Sequence, residues 1–223
     1  MPFTSKEIEF FQTTLPFWNH LTPVQQDSLK KDIVKQHFSV GESLHTGSEN
    51  CSGLFLIQSG QLRVYMISES GREVTLYRLF DRDVCIFSAS CIMRNITFDV
   101  YVEIEKDTDC FLLPTASYRQ LANEAISVQA FMNDLMESRF SDVMWVIDQV
   151  LFASFDRRLS NFLLEQSNIE QSDTIMITHE KIANNIGSAR EVVTRMLKYF
   201  QSEGIVRLFR GGIEILDKKK LQE

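Results

Sequence analysis

The chain has 223 residues, 44% of them hydrophobic, and a formal net charge of -7. This length and composition can bury a substantial core and favour two modest domains over one. No apolar run reaches the ~18 residues of a membrane span and the N-terminus lacks the design of a secretion signal, so we expect a cytoplasmic protein without a membrane partner. The sequence also lacks a nucleophile elbow, a P-loop and a dinucleotide-binding glycine pattern, which argues against an enzyme.

The acidity lies in the front part of the chain. Residues 1–152 hold 12 Lys and Arg against 20 Asp and Glu, whereas residues 153–223 hold 11 against 10. A near-neutral rear segment whose cations gather on one helix and in Lys218–Lys220 can still contact phosphates. Charge alone would not have predicted nucleic-acid binding.

The front of the chain predicts a short helical lead-in. Residues 5–37 alternate apolar and polar side chains in a helical pattern that Pro16 and Pro23 interrupt. Thr22 and Pro23 are typical of an N-cap and of the first position of a helix.

From Phe38 the pattern changes to short strands separated by tight turns. Ser59-Gly60 and Glu69–Gly71 are the clearest turn signals. The predicted strands are residues 53–58, 61–67, 73–79, 84–87, 98–104 and 110–113. Counted from Phe38 onward, the pattern gives roughly eight strands in total, which is within the range of a jelly-roll-like barrel.

A long helix with an apolar seam should follow. Residues 116–149 include no glycine or proline, and apolar side chains recur at spacings of four and three from Met132 onward. The N-terminal end can pack on the strands, but a helix this long extends past its own domain and needs another partner. A second copy of the chain is the economical partner, in a parallel homodimer. The interface residues we expect are Met136, Phe140, Val143, Ile147 and Val150.

A hinge is expected near Ala153-Ser154, where the rear segment begins. This segment predicts a helix over residues 155–166, a polar loop over 167–173 and a short strand over 174–177.

Two capped helices around one glycine come next. Thr178 suits the N-cap of a helix that Gly187 ends. Ser188 and Glu191 have the spacing of a capping box for a second helix. This arrangement is typical of a helix-turn-helix.

The second helix has one apolar and one polar face. Val193, Met196, Leu197 and Phe200 form a stripe that should pack on the first helix, and the opposite face carries side chains that hydrogen-bond base edges and phosphates. An ordinary helical hairpin with a solvated charged face is the alternative. The independent caps, the Arg-Glu opening and a predicted strand hairpin over residues 205–216, forming a wing, favour DNA binding.

The expected DNA contacts divide into two kinds. Arg190, Glu191 and Arg195 should read bases. Thr178, His179 and Lys198 should lie near phosphates. The full predicted set is Thr178, His179, Ser188, Ala189, Arg190, Glu191, Thr194, Arg195 and Lys198.

The segment Ile-Ala-x-x-Ile-Gly-Ser-x-Arg-Glu-x-Val-Thr-Arg, from Ile182 to Arg195, resembles the DNA-binding signature of the cyclic-AMP receptor/FNR (Crp/Fnr) family of bacterial transcription regulators. The front part resembles the same family's cyclic-nucleotide-binding β-roll in Gly41-Glu42, Phe55-x-Ile57, Gly60, Val64-Tyr65 and Gly71. The resemblance implies an α+β fold: a sensory β-roll over residues 1–120, a long dimerisation helix over 121–152 and a winged helix-turn-helix over 153–223.

The effector segment departs from the pattern of relatives that bind cyclic AMP. Those relatives carry a Gly-Glu pair for the ribose and an Arg followed by a small hydroxyl residue for the phosphate. In this chain only Arg94 and Thr97 resemble that pattern, and only loosely. We therefore expect an unidentified effector other than cyclic AMP, small and mostly apolar, between residues 85–97 and the N-terminal half of the long helix. The expected pocket residues are Cys85, Phe87, Ser88, Ser90, Cys91, Arg94 and Thr97.

We interpret the cysteines as thiols rather than as ligands of a cofactor. The family's oxygen-sensing branch holds an iron–sulfur cluster through cysteines near the N-terminus, but the first cysteine here is Cys51, so no cluster is expected. The spacings match no zinc finger or ribbon, and no metal site is predicted. A thiol-redox or metal-responsive regulator using Cys85 and Cys91 remains an alternative, and a protein-binding module is a third.

These patterns together predict a homodimeric, sequence-specific transcription regulator that binds a palindromic DNA site in response to an effector. The expected partners are double-stranded DNA, a second copy of the chain, RNA polymerase and a small molecule.

Overall fold

The computed structural model describes residues 3–46, 53–86 and 99–222. The chain forms two compact units. Met1–Met66 and Leu76–Val143 belong to the first, and Ile67–Thr75 and Met144–Glu223 belong to the second. Within the described ranges, no helix is both long and apolar enough to cross a membrane.

The first unit opens with the predicted helical lead-in. Its helices are α1 (Ser5–Thr14), a 3-10 helix (Pro16–His20) and α2 (Pro23–Asp32). Thr22 caps α2 and Pro23 is its first residue, as predicted. The Gln25 side chain accepts a bond from the Thr22 backbone at 2.9 Å and completes a capping box. Phe11, Phe17 and Trp18 anchor this region in the core because all three are almost fully buried.

A six-stranded antiparallel sheet follows, with the order β1-β6-β3-β4; β2 also pairs with β6, and β5 with β3. Its strands are β1 (Val34–Phe38), β2 (Ser43–Thr46), β3 (Gly53–Ile67), β4 (Glu73–Leu79), β5 (Val84–Cys85) and β6 (Tyr101–Pro114). The prediction that the helical lead-in reaches residue 37 was wrong, because β1 pairs along its whole length with β6, from Val34 opposite Leu112 to Phe38 opposite Thr108.

The predicted turn at Ser59-Gly60 is also wrong, because β3 runs through it. The register between β3 and β6 shifts there instead. Gly60 has φ +123°, and a Cβ at this position would lie 2.3 Å from the Thr108 hydroxyl oxygen and 2.8 Å from the Asp107 carbonyl oxygen. Glycine therefore allows a close approach of two strands rather than a reversal of the chain. The predicted strands 98–104 and 110–113 similarly fall in one strand, β6, but only from Tyr101 onward, and residue 98 lies outside the described ranges.

The long helix is shorter than predicted. Residues 115–152 form two helices, α3 (Thr115–Glu124) and α4 (Ile126–Phe152), separated by Ala125 in an extended conformation. Tyr118 and Leu121 of α3 are buried in the first unit, as is Val128 of α4. Burying all three side chains favours an interruption at Ala125 over the continuous helix that local propensity predicts. The Gln129 side chain donates to the Ala122 carbonyl at 2.6 Å and spans the break.

The second unit is a helical domain with a small antiparallel sheet of order β7-β9-β8. Its elements are α5 (Phe155–Glu170), β7 (Thr174–Ile175), α6 (His179–Ile186), α7 (Arg190–Ser202), β8 (Val206–Phe209), β9 (Gly212–Ile215) and α8 (Lys218–Gln222). Helix α5 is longer and β7 shorter than predicted. The three C-terminal lysines lie in α8, which Leu221 anchors in the core.

Candidate nucleic-acid interface

Helix α6 begins and ends where the sequence predicts. The Thr178 hydroxyl accepts a hydrogen bond from the Lys181 backbone N–H at 3.1 Å, which satisfies one of the helix's terminal donors. At the other end Gly187 adopts a left-handed conformation with φ +66°. This conformation suits glycine and turns the chain toward the second helix.

Helix α7 begins differently from the prediction. Its N-cap is Ala189, whose side chain makes no capping bond, so the predicted capping box of Ser188 and Glu191 does not form. The Ser188 backbone N–H instead donates to the Ala183 carbonyl at 3.0 Å. Ser188 thus belongs to the end of α6. With Ala189 as the N-cap, Glu191 is the second residue of α7, whereas a capping box needs Glu or Gln as the third.

The apolar face of α7 packs as predicted. Val193, Leu197 and Phe200 are buried in the core of the second unit together with Ile182 and Ala183 of α6, and Met196 is partly buried against the same cluster. This packing fixes the rotation of α7 about its axis. The opposite face must therefore point away from the core.

That opposite face carries exposed charges. Arg190, Glu191, Arg195 and Lys198 are exposed, and none of their side chains makes a hydrogen bond or ion pair with any residue in the described ranges. Thr194 is half-buried, and its hydroxyl donates to the Arg190 carbonyl at 2.8 Å. The half-buried Ser188 and Ala189 complete the predicted set at the turn. The charged donors and acceptors of α7 remain available for an external ligand.

His179 links the two helices. Its Nδ1 lies 2.9 Å from the Thr194 hydroxyl oxygen. Partial burial, and then the positive charges of Arg190 and Lys198, lower the pKa of His179 from its ordinary value of 6.5. The ring is therefore mainly neutral at neutral pH in the unbound protein.

The wing adds a cation that the sequence analysis missed. Arg207 of β8 is paired with Glu214 of β9. Arg210, in the turn between these strands, is exposed and has no partner in the part of the chain that the structure describes. The sequence signal that could have identified Arg210 is an arginine followed by two glycines in a predicted turn, since such a turn exposes its side chains.

Two of the three C-terminal lysines are engaged within the protein. Lys218 forms an ion pair with Asp173, and the Lys220 ammonium donates to the Glu203 carbonyl at 3.1 Å. Lys219 is exposed. The basic tail therefore also serves to hold α8 in place.

The predicted dimer seam on α4 is largely uncovered in the single chain. Met136, Phe140, Ile147 and Val150 are exposed, and Phe140 keeps 68% of its accessible surface. Val143 differs, because it is partly buried against the core of the first unit. Four of the five predicted seam residues are thus available to a partner.

Most of the predicted effector pocket lies outside the described residues, which include only Cys85 of that set. Cys85 is completely buried. In the same unit, the Arg139 guanidinium of α4 lies 4.8 Å from the centre of the Tyr77 ring and 3.5 Å from an Asp83 carboxylate oxygen. Its Nε is buried and has no hydrogen-bond partner among the residues that the structure describes.

The buried thiols do not have the environment of reactive cysteines. Burial raises the pKa of Cys110 to about 12, with a smaller contribution from Cys85. Reactive cysteines are partly exposed and have lowered pKa values, so the redox alternative gains no support from Cys85 or Cys110. Cys91 lies outside the described ranges. No cluster of three or more His, Cys, Asp or Glu side chains suited to a metal occurs among the described residues.

Two family models match the chain in the order of its units. A cyclic nucleotide-binding domain matches residues 35–125, and a Crp-like helix-turn-helix domain matches residues 157–223. The second match spans α6, α7 and the wing.

Known proteins resemble the chain over nearly its whole length. A crystal structure of a Crp/Fnr-family transcriptional regulator from Eubacterium rectale is 50% identical, covers 94% of this chain and 97% of its own, and superimposes with a TM-score of 0.91. The cyclic AMP receptor protein of Thermus thermophilus is 23% identical, over 93% of this chain and 95% of its own length. The transcriptional activator protein Anr of Pseudomonas aeruginosa is 24% identical, over 90% and 84%.

Proposed function

This chain belongs to the Crp/Fnr family of DNA-binding transcription regulators, and from that premise we propose that two copies bind a two-fold symmetric DNA site, with α7 of each copy in a major groove. The supporting observation is the polar face of α7. Arg190, Glu191, Arg195 and Lys198 are exposed together, and none is engaged by another described side chain. Their hydrogen-bonding groups match base edges and phosphates.

The base-reading and phosphate-binding roles are divided along the interface. Arg190, Glu191 and Arg195 lie in the first turns of α7, which is where recognition helices contact base edges. Thr178 and His179 at the start of α6, and Lys198 farther along α7, contact the backbone. Arg210 at the tip of the wing supplies a further phosphate contact, since an exposed arginine on a turn can reach the neighbouring backbone.

Selection of duplexes from a random pool by the purified protein tests this proposal. We expect an enriched site with two inverted halves whose centres are about one helical turn, ~34–36 Å, apart. Enrichment of a single asymmetric site would contradict two-fold binding. RNA polymerase is the partner through which such binding would affect transcription.

The dimer forms through the exposed seam of α4, because a second copy can cover Met136, Phe140, Ile147 and Val150 in an isologous contact. Analytical ultracentrifugation tests it with the double variant Phe140→Asp with Ile147→Asp, which should be monomeric at concentrations where the native protein is a dimer. The matched control, Ser138→Asp with Ser141→Asp, adds the same charge at exposed positions on another face of α4 and should stay dimeric. Equal dissociation of both variants would contradict the assignment of the dimer interface to this seam.

The effector is a small ligand other than cyclic AMP. The Thermus relative is named as a cyclic AMP receptor, but this chain lacks the Gly-Glu pair in the corresponding segment. A bound ligand at a hundredfold its dissociation constant stabilises a protein by about 2.7 kcal/mol, which a thermal shift detects. We expect no shift with micromolar cyclic AMP. A clear shift that Arg94→Ala abolishes would overturn this part of the proposal.

A further inference from the structure

The bond between His179 and Thr194 determines where the imidazole carries its proton. The Thr194 hydroxyl has one hydrogen, and it donates that hydrogen to the Arg190 carbonyl at 2.8 Å. The oxygen of the same hydroxyl must therefore accept from His179 Nδ1, which lies 2.9 Å away. Nδ1 keeps its hydrogen whether the ring is neutral or charged.

The other ring nitrogen is then the one that titrates. In the neutral ring Nε2 has a lone pair and no hydrogen, so it can only accept a hydrogen bond. Nε2 has no partner among the described residues. A phosphate oxygen is also only an acceptor, so Nε2 of the neutral ring cannot form a hydrogen bond with it. The protonated ring donates from Nε2 and adds a charge-assisted bond.

The surroundings favour an anion at this ring. His179 is the first residue of α6, beside the terminal backbone donors of that helix, and it is only partly buried. On α7, which packs against it, the charged groups that affect the imidazole are Arg190 and Lys198; no described carboxylate of α5, α6 or α7 is among the causes of its shift. A phosphate placed here would find three basic groups.

We propose that DNA binding by this protein is coupled to protonation of His179, whose Nε2 donates to a backbone phosphate only in the charged form. The inference rests on the proposed docking of α6 and α7 against DNA. It assigns His179 two roles: its Nδ1 positions Thr194 on the neighbouring helix, and its Nε2 is a phosphate contact that depends on pH.

The sign of the pH dependence follows from linkage. In the unbound protein the pKa of His179 lies below 6.5, and a neighbouring phosphate raises it, so binding takes up a proton. Affinity is then greatest below the unbound pKa and declines as pH rises through the pKa in the complex. The decline can reach about tenfold per pH unit for each protomer, which is the limit for one linked proton.

Fluorescence anisotropy with the full-length protein tests the coupling between pH 5.5 and 8.5 at constant ionic strength. The probes are the duplex selected from the random pool and a random duplex of equal length. We expect both affinities to fall with pH in parallel, since a phosphate contact does not depend on sequence. His179→Gln should remove the slope while an amide N–H still reaches Thr194, and His179→Arg, which stays charged, should bind more tightly than the native protein at pH 8.

The control variant is His37→Gln in the first unit. His37 is a second histidine whose pKa is shifted, and this pKa is raised mainly by the hydrogen bond to Asp109. This variant should keep the native pH slope. A slope that survives in His179→Gln, or that disappears in His37→Gln, would overturn the proposal.

A direct titration separates the protonation from any structural effect of the substitutions. The imidazole resonances of the native protein should report a higher pKa for His179 in the DNA complex than in the unbound protein. An unchanged or lower pKa refutes the coupling even if DNA binds well. Failure of the native protein to prefer its selected duplex at any pH would instead refute the proposed docking itself.

Discussion

Two buried arginines of the first unit and two exposed arginines of the second are used in opposite ways. In the first unit the side chains of Arg63 and Arg78 are only 3% and 4% exposed, and each faces a carboxylate: Arg63 lies 3.4 Å from Glu103, and Arg78 lies 2.7 Å from Glu105. In the second unit Arg190 and Arg195 are exposed and make no such pair with any described residue.

This difference separates structural cations from those available for binding. A buried charge is tolerated only with a partner, because the loss of hydration costs several kcal/mol per ion. An exposed charge keeps its hydration and needs no internal partner, so it can exchange water for a ligand at little cost to the fold. Removing a buried, paired arginine such as Arg78 should therefore affect stability, whereas removing an exposed one such as Arg195 should affect DNA affinity.

The largest expected effect is on the stability of the first unit. Arg78→Met leaves Glu105 buried without its main cation, and breaking such a pair costs roughly 3–5 kcal/mol. We expect the lower end, because the Gln61 amide also donates to a Glu105 carboxylate oxygen, at 2.7 Å. Urea unfolding followed by circular dichroism measures the loss. Arg195→Met is the matched control and should change the free energy of unfolding by less than about 0.5 kcal/mol; equal losses in both variants would contradict the comparison.

The second effect is on DNA affinity. Arg195→Ala removes a side chain that we expect to read a base, and it should weaken binding to the selected duplex by about 1–3 kcal/mol and relax the preference at one base position. Lys198→Ala should weaken selected and random duplexes alike. Anisotropy titrations of both duplexes distinguish the two results. Equal losses on both duplexes from Arg195→Ala would assign Arg195 to the phosphate backbone instead.

The smallest effect concerns the threonine N-caps of the helices, which occur in both units. Thr178→Ala removes the bond to the Lys181 N–H and should destabilise α6 by about 1 kcal/mol. Thr22→Ala should cost α2 a similar amount. Hydrogen exchange locates each loss, faster in α6 for the first variant and in α2 for the second. Exchange that rises in both units for either variant would show that the caps do not act locally.

The helix-turn-helix was readable from sequence because its determinants are near neighbours. Thr178 and Gly187 act within one turn of the residues they cap, and the stripe from Val193 to Phe200 follows the helical repeat. The predicted capping box at Ser188 failed for a different reason. Its backbone N–H bonds to Ala183, five residues back, and that bond belongs to the end of one helix rather than to the start of the next.

The candidate site could be predicted only in part. Arg190, Glu191, Arg195 and Lys198 were recognisable from their spacing on one face of α7. The bond between His179 and Thr194 was not, because it depends on how closely α6 and α7 pack. The engagement of Lys218 and Lys220 likewise depends on where α8 lies against the rest of the second unit.

The sequence by itself determined the family, the two-part organisation and the amphipathic helices, since periodicity, capping residues and the Ile182–Arg195 signature are local properties of the chain. Tertiary structure decided the strand assignment of β1, the uninterrupted course of β3 through Gly60 and the break at Ala125. Each of these depends on a contact between residues far apart in sequence: β1 with β6, Gly60 with Thr108, and Val128 with the core of the first unit. Such contacts outweigh local propensity because pairing backbone groups and burying side chains contribute more free energy than intrinsic helix or turn preferences of about 1 kcal/mol or less per residue.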